Sequence, residues 1–122
     1  MTGKIIKAFY EVYNKLGYGF LEKVYQSCVE MELRSMNLFV EVQKPIKVIY
    51  KGKEVGLYYA DIVVENCVIV ELKAAEMIAP EFEAQLLNYL KASTLEVGLL
   101  LNFGIKPELR RKIYDNSRKS FE

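Results

Sequence analysis

Three charged residues stand where apolar strands ought to continue. Glu71 and Lys73 break the end of Val68-Ile69-Val70-Glu71-Leu72-Lys73, and Asp61 breaks Tyr58-Tyr59-Ala60-Asp61-Ile62-Val63-Val64. Strand alternation puts Glu71 and Lys73 on one face. Any one of the three reads simply as a strand end facing water; three on adjacent strands ask for a chemical reason. Two carboxylates a few ångströms apart repel each other unless they share a proton or a cation. A hard divalent ion such as Mg2+ or Mn2+ resolves the conflict, because it takes oxygen ligands, keeps several waters, can clamp a phosphate and lowers the pKa of a bound water. Lys73 could orient that water, help deprotonate it, or neutralise charge developing on the phosphate. Metal-assisted phosphodiester hydrolysis needs no histidine, and the chain has none.

The parity of one loop decides whether the carboxylates can meet. An odd loop around Asn66 puts Asp61 and Glu71 on one face, whereas a two-residue loop puts them on opposite faces. The sequence permits either, and the chemistry requires the odd one. A three-residue hairpin of Val64, Glu65 and Asn66, with Asn66 left-handed, would place the carboxylates diagonally.

The rest of the chain must supply the scaffold. Its 122 residues, 52% hydrophobic and 27% charged, suit one domain over residues 1–122 and exclude disorder. Without histidine, Ser-His and Cys-His nucleophile pairs and His-containing zinc sites are excluded. Cys28 and Cys67 are too few for a disulfide framework and suggest a reducing interior. Residues 1–7 lack the apolar stretch of a signal peptide, so a soluble cytoplasmic protein is expected.

Ile5, Ala8, Phe9, Val12, Tyr13 and Leu16 recur at helical spacing over residues 4–16, and a second helix reads from about 20 to 36 with Asn37 as its stop. Alternation at Ile46, Val48 and Tyr50, the turn Lys51-Gly52-Lys53 and the segments 55–64 and 68–72 predict three strands. Pro80 opens a helix to about residue 93, residues 97–101 form a strand buried on both faces, and Pro107 opens a last helix. The expected fold is α/β, a mixed four-stranded sheet flanked by helices in the order ααβββαβα.

Asp61 followed by Glu71-x-Lys73 resembles the PD-(D/E)xK nuclease superfamily, and the element order resembles its restriction-endonuclease-like core. Gly19-x-x-Glu22-x-x-Tyr25 is similar to the signature of the GxxExxY family within that superfamily. Ala60 stands where the superfamily's name would put Pro. The resemblance implies an Mg2+- or Mn2+-dependent nuclease acting on DNA, with Glu22, Asp61 and Glu71 binding metal and Lys73 as the catalytic lysine. Gln85-x-x-x-Tyr89 is similar to an element of RecB-like members that accompanies the active site and contacts nucleic acid, which implies a catalytic or DNA-binding place for Gln85 and a DNA-binding one for Tyr89. Each has a plainer reading: Glu22 suits the first turn of a helix electrostatically, Tyr25 and Tyr89 fit apolar stripes, and Gly19 is a flexible helix entry. A non-catalytic nucleic-acid-binding module, or a protein-interaction module, would keep the same fold, and a homodimer is compatible with each.

The charge balance of 17 Lys and Arg against 16 Asp and Glu gives no bulk attraction for DNA. Setting the three candidate metal-binding acids aside leaves 17 against 13. The segment 104–122 adds a local excess of three positive charges: Lys106, Arg110, Arg111, Lys112, Arg118 and Lys119 against Glu108, Asp115 and Glu122. That segment could follow a phosphate backbone, or simply be a solvated helix face.

Overall fold

Helical spacing near the N-terminus folds as α1 (Thr2–Leu16), which buries Ile5, Ala8, Phe9 and Val12 along one side. In the computed structural model, which describes residues 1–119, α2 follows (Glu22–Ser35), burying Tyr25, Val29 and Leu33. The chain reverses between them through Gly17 at φ 66° and Gly19 at φ 106°, backbone that a Cβ disfavours. Asn37, at φ 61°, ends the second helical segment as expected.

The strands are β1 (Val40–Tyr50), β2 (Lys53–Val64) and β3 (Val68–Lys73), followed by α3 (Pro80–Ala92), β4 (Val97–Phe103) and β5 (Pro107–Ile113). A single turn of 3-10 helix spans Asn116–Arg118. The sheet runs β1-β2-β3-β4-β5. Only β3 and β4 are parallel, with α3 as the crossover between them; the other neighbours are antiparallel. Lys51 and Gly52, at φ 51° and 77°, join β1 to β2, as the two-residue turns that match strand twist require.

Helices cover both faces of the sheet. On one side, Phe9, Val12, Tyr25, Val29 and Leu33 pack on Ile62, Val64, Val70, Leu72 and Leu101. On the other, Leu86, Tyr89 and Leu90 of α3 pack on Ala60, Val63, Ile69 and Leu100. Each fully buried Leu, Ile or Phe contributes about 1.5–3 kcal/mol, so the two layers together fix the sheet between them.

Two expectations need correction. The sheet has five strands, not four, and Pro107 opens strand β5 in place of a last helix. Every residue of β4 after Val97 is buried, and a strand so enclosed needs a hydrogen-bonding neighbour on each edge. β5 supplies the second edge, with Leu101 opposite Leu109 and Phe103 opposite Pro107. Pro107 is tolerated because it is the first residue of an edge strand. The other correction concerns β1, which begins at Val40, well before the alternation at Ile46. Gln43, Lys44 and Pro45 hide this portion from an apolar pattern, and Pro45 is accommodated on the outermost strand.

Two cations of the basic C-terminal segment are committed to the fold. Lys112 pairs with Glu83 of α3 at 2.8 Å. The Lys119 ammonium donates to the carbonyls of Ser93 and Leu95, and burial pulls its pKa down. Lys106, Arg110 and Arg111 are exposed, and Glu122 lies outside the described residues.

Candidate active site

The β2–β3 hairpin turns through Glu65, Asn66 and Cys67, because Val64 pairs with Val68. This loop is odd, as the chemistry requires, but lies one residue later than Val64-Glu65-Asn66. Both Glu65 and Asn66 are left-handed, at φ 53° and 50°. The shift changes the register by two: extended one step past its last pair, the ladder Ile62–Val70, Val63–Ile69, Val64–Val68 would bring Asp61 opposite Glu71 instead of diagonal to it.

Pairing stops at that point. Beyond Ile62 and Val70, β2 stays with β1 and β3 stays with β4. The Leu72 N–H, which has no β2 partner there, is accepted by Asp61 Oδ2 at 2.9 Å. Asp61 Oδ1 accepts from Gln43 Nε2 at 3.3 Å, and the same amide donates to Gln26 Oε1 of α2 at 3.0 Å.

Gln43 is the unusual residue of this arrangement. It holds φ 49° in the middle of a strand, a conformation that costs a non-glycine residue about 1–2 kcal/mol. Val42 pairs with Ile62 and Lys44 with Ala60, so Gln43 and Asp61 face each other across the ladder. Both strands exchange faces there: Ala60 and Ile46 pack under α3, whereas Ile62 and Val40 pack under α1 and α2. The twist peels the β1–β2 arm away from β3 and opens the split in which the acids sit.

Glu71 is only 4% exposed, and its Oε1 is buried with no hydrogen-bond partner among the described residues. Burial first, then the adjoining Asp61 carboxylate, pushes its pKa up to about 10. An isolated buried carboxylate is strongly disfavoured, so Glu71 must keep a proton or meet a cation. The unpartnered oxygen beside a second carboxylate fits a hard divalent ion.

Lys73 lies on the same strand face, half-buried, its ammonium 4.8 Å from the centre of the Phe82 ring. It forms no ion pair with a described carboxylate. From α3, Gln85 Nε2 donates to the Tyr89 hydroxyl at 3.0 Å. Burial, followed by the charges of Glu71 and Asp61, raises the Tyr89 pKa to about 12, and its ring packs in one cluster with Ala60 and Ile69, which precede the acids in their strands.

The fold brings Asp61, Glu71, Lys73, Gln85 and Tyr89 to one region. Glu22 is the first residue of α2 and exposed, one turn before Gln26. Among the described residues, no three acids, cysteines or histidines are close enough to form a ready-made metal cluster. Tyr25 is structural: its ring stacks on Phe103 at 4.1 Å, and its hydroxyl donates to Gly17 O and accepts the Phe20 N–H. It thereby bolts down the turn that delivers Glu22. Tyr25→Phe is expected to lower stability by about 1–2 kcal/mol, measured as a shift in urea midpoint at unchanged slope.

Spacing alone missed Gln43, Gln26 and Asn102. Asn102, fully buried opposite Lys73, holds both Ala75 N and Ala75 O at 3.0 Å. Its only signal is a polar residue within an apolar strand, whereas the Gln43 twist leaves no mark on the alternation. Gly104 completes the brace, since a Cβ there would lie 2.6 Å from Ala75 O and 2.9 Å from Glu76 O. Gly104→Ala is expected to cost on the order of 2 kcal/mol, seen as a lowered melting temperature, because backbone must move just beyond Lys73.

A helix-covered mixed sheet whose strands part around an acid pair, with an ammonium alongside, defines an α/β domain suited to nuclease chemistry. The PD-(D/E)XK nuclease superfamily model matches residues 1–112, and the chain belongs to that superfamily. Its members are usually nucleases and generally use divalent metals such as Mg2+. Neither the curated proteins nor the solved structures gave a significant match. Among the described residues, no helix is long and apolar enough to cross a membrane.

Proposed function

We propose that the protein is a divalent-metal-dependent deoxyribonuclease, within the GxxExxY branch of its superfamily. The observation that carries this reading is the buried, unpartnered Glu71 Oε1 beside Asp61, with Lys73 on the same strand face. Asp61 and Glu71 would hold Mg2+ or Mn2+, and Glu22 would approach from α2 as a third acid. Bound there, the cation supplies a polarised phosphoryl oxygen and a more acidic water.

The protein's own groups do the rest. Asp61 is held by the Leu72 N–H and Gln43, which fixes one carboxylate while its other lone pairs stay open to a ligand. Lys73 Nζ hydrogen-bonds the attacking water or the scissile phosphate and offsets charge as the phosphorus–oxygen bond breaks. Gln85 and Tyr89, joined to each other, position the strand beside the acids. Exposed Lys106, Arg110 and Arg111 offer phosphate contacts.

Purified protein incubated with labelled DNA should release shorter fragments with Mg2+ or Mn2+ and none with chelator. DNA binding with no cleavage under any divalent ion would favour a non-catalytic module instead.

A further inference from the structure

A second feature lies next to the acids and is not explained by them. Because β2 pairs with β3 only over Ile62–Val64, the rest of the β1–β2 hairpin stands away from β3 as an arm beside α3. Between arm and helix is an open cavity of about 600 Å3, within the range of small-ligand sites. Its apolar wall includes Val48 and Ala84, its aromatic wall is Tyr58, and Gln85 and Asn88 contribute amides. Tyr58 remains 49% exposed although its ring contacts Tyr89 at 5.6 Å. Tyr89 lines this cavity and also packs with Ala60 and Ile69, which precede Asp61 and Glu71 in their strands, so it links the two.

The lining decides what could enter. Its single acid, Glu81, is matched by a single base, Lys91, so the cavity is no phosphate trap. An exposed aromatic ring, an apolar wall and neutral amides suit a flat heterocycle with hydrogen-bonding edges. Such amides pair with base edges, and aromatic faces stack bases with little regard to sequence. A base inside a duplex is stacked and paired, so it cannot enter without first being unpaired.

We propose that this cavity is a base-accepting subsite. It takes one unstacked nucleobase of a DNA strand whose phosphate backbone passes the Asp61–Glu71 pair, and the inference rests on the nuclease reading for that second half. The substrate class that follows is single-stranded DNA, or DNA with a frayed or flapped end. Tyr58 stacks the base, while Asn88 and Gln85 address its edge.

The test is binding of a single-stranded oligonucleotide carrying one 2-aminopurine, and of its duplex, in Ca2+, read by fluorescence. Cleavage of the same strand in Mg2+ or Mn2+ is followed separately. Tight single-strand binding is expected, with the duplex at least about tenfold weaker. Tyr58→Ala should weaken single-strand binding about 5- to 150-fold, the effect of removing one base-stacking aromatic. Ala84→Leu, a change on the exposed side of a helix that narrows the cavity, should weaken it likewise, with circular dichroism and melting reporting that both variants fold.

Wild-type single-strand binding by both folded variants, or a preference of the wild type for duplex, overturns the subsite even if the protein cleaves DNA. Binding that depends on Tyr58 and Ala84 without cleavage under any divalent ion supports the subsite and defeats the nuclease reading. No oligonucleotide binding in any form overturns the subsite, and the absence of cleavage as well defeats the nuclease reading.

Discussion

Lys73→Ala is expected to reduce metal-dependent DNA cleavage by roughly 10²- to 10⁴-fold, the range for losing a group that stabilises charge or transfers a proton in the transition state. Glu71→Ala should be at least as severe, because it removes a ligand as well as charge. Three lysines are tied into the fold: Lys44 bonds Glu41, Lys112 bonds Glu83, and Lys119 caps carbonyls of the α3–β4 turn. Lys73 has no carboxylate partner among the described residues and lies against the Phe82 ring, a contact worth about 0.5–1 kcal/mol. Its loss should therefore leave the fold intact. Cleavage assays beside urea titrations separate the effects: a large loss of rate at unchanged midpoint is expected, and wild-type rates would remove Lys73 from the site.

Glu71→Gln is expected to stabilise the metal-free protein at neutral and alkaline pH. Burial and Asp61 raise the Glu71 pKa from an ordinary 4.5 to about 10, so the folded state binds this proton more tightly than the unfolded state. The associated stability is fully present below the unfolded value and is lost as pH rises from about 4.5 towards 10. Between pH 4.5 and 7 the loss from this group is about 3 kcal/mol. Glutamine keeps the shape without the titration, so the variant's stability should fall less steeply with pH in chelator. Saturating Mg2+ should narrow the difference by stabilising the wild type through binding. Denaturation midpoints across this window, with and without metal, measure both effects; an unchanged slope in Glu71→Gln would show that another group dominates.

The carboxylates were legible in the sequence because a charge inside an apolar strand is conspicuous, and loop parity could be argued from their mutual repulsion. Register was not, since Val64-Glu65-Asn66 and Glu65-Asn66-Cys67 have the same parity and differ only in which residues close the turn. The Pro107 segment misled for a related reason: proline is acceptable both at a helix start and at the first position of an edge strand. Only the need to cover buried β4 decides between them. Gln43 was invisible because Gln43, Lys44 and Pro45 interrupt the apolar pattern at the point where the strand exchanges faces, so no residue there marks the change. Tyr25 was read correctly as packing, while its hydroxyl's two bonds to the turn needed tertiary structure to be seen.

Mn2+ binding, followed by electron paramagnetic resonance for wild type, Asp61→Asn and Glu71→Gln, tests the central claim most directly. Wild-type protein should bind Mn2+ at the acid pair, and each substitution should weaken that binding about tenfold or more while the fold is retained. Equal Mn2+ binding by all three folded proteins would contradict the assignment of Asp61 and Glu71 as the metal-holding pair.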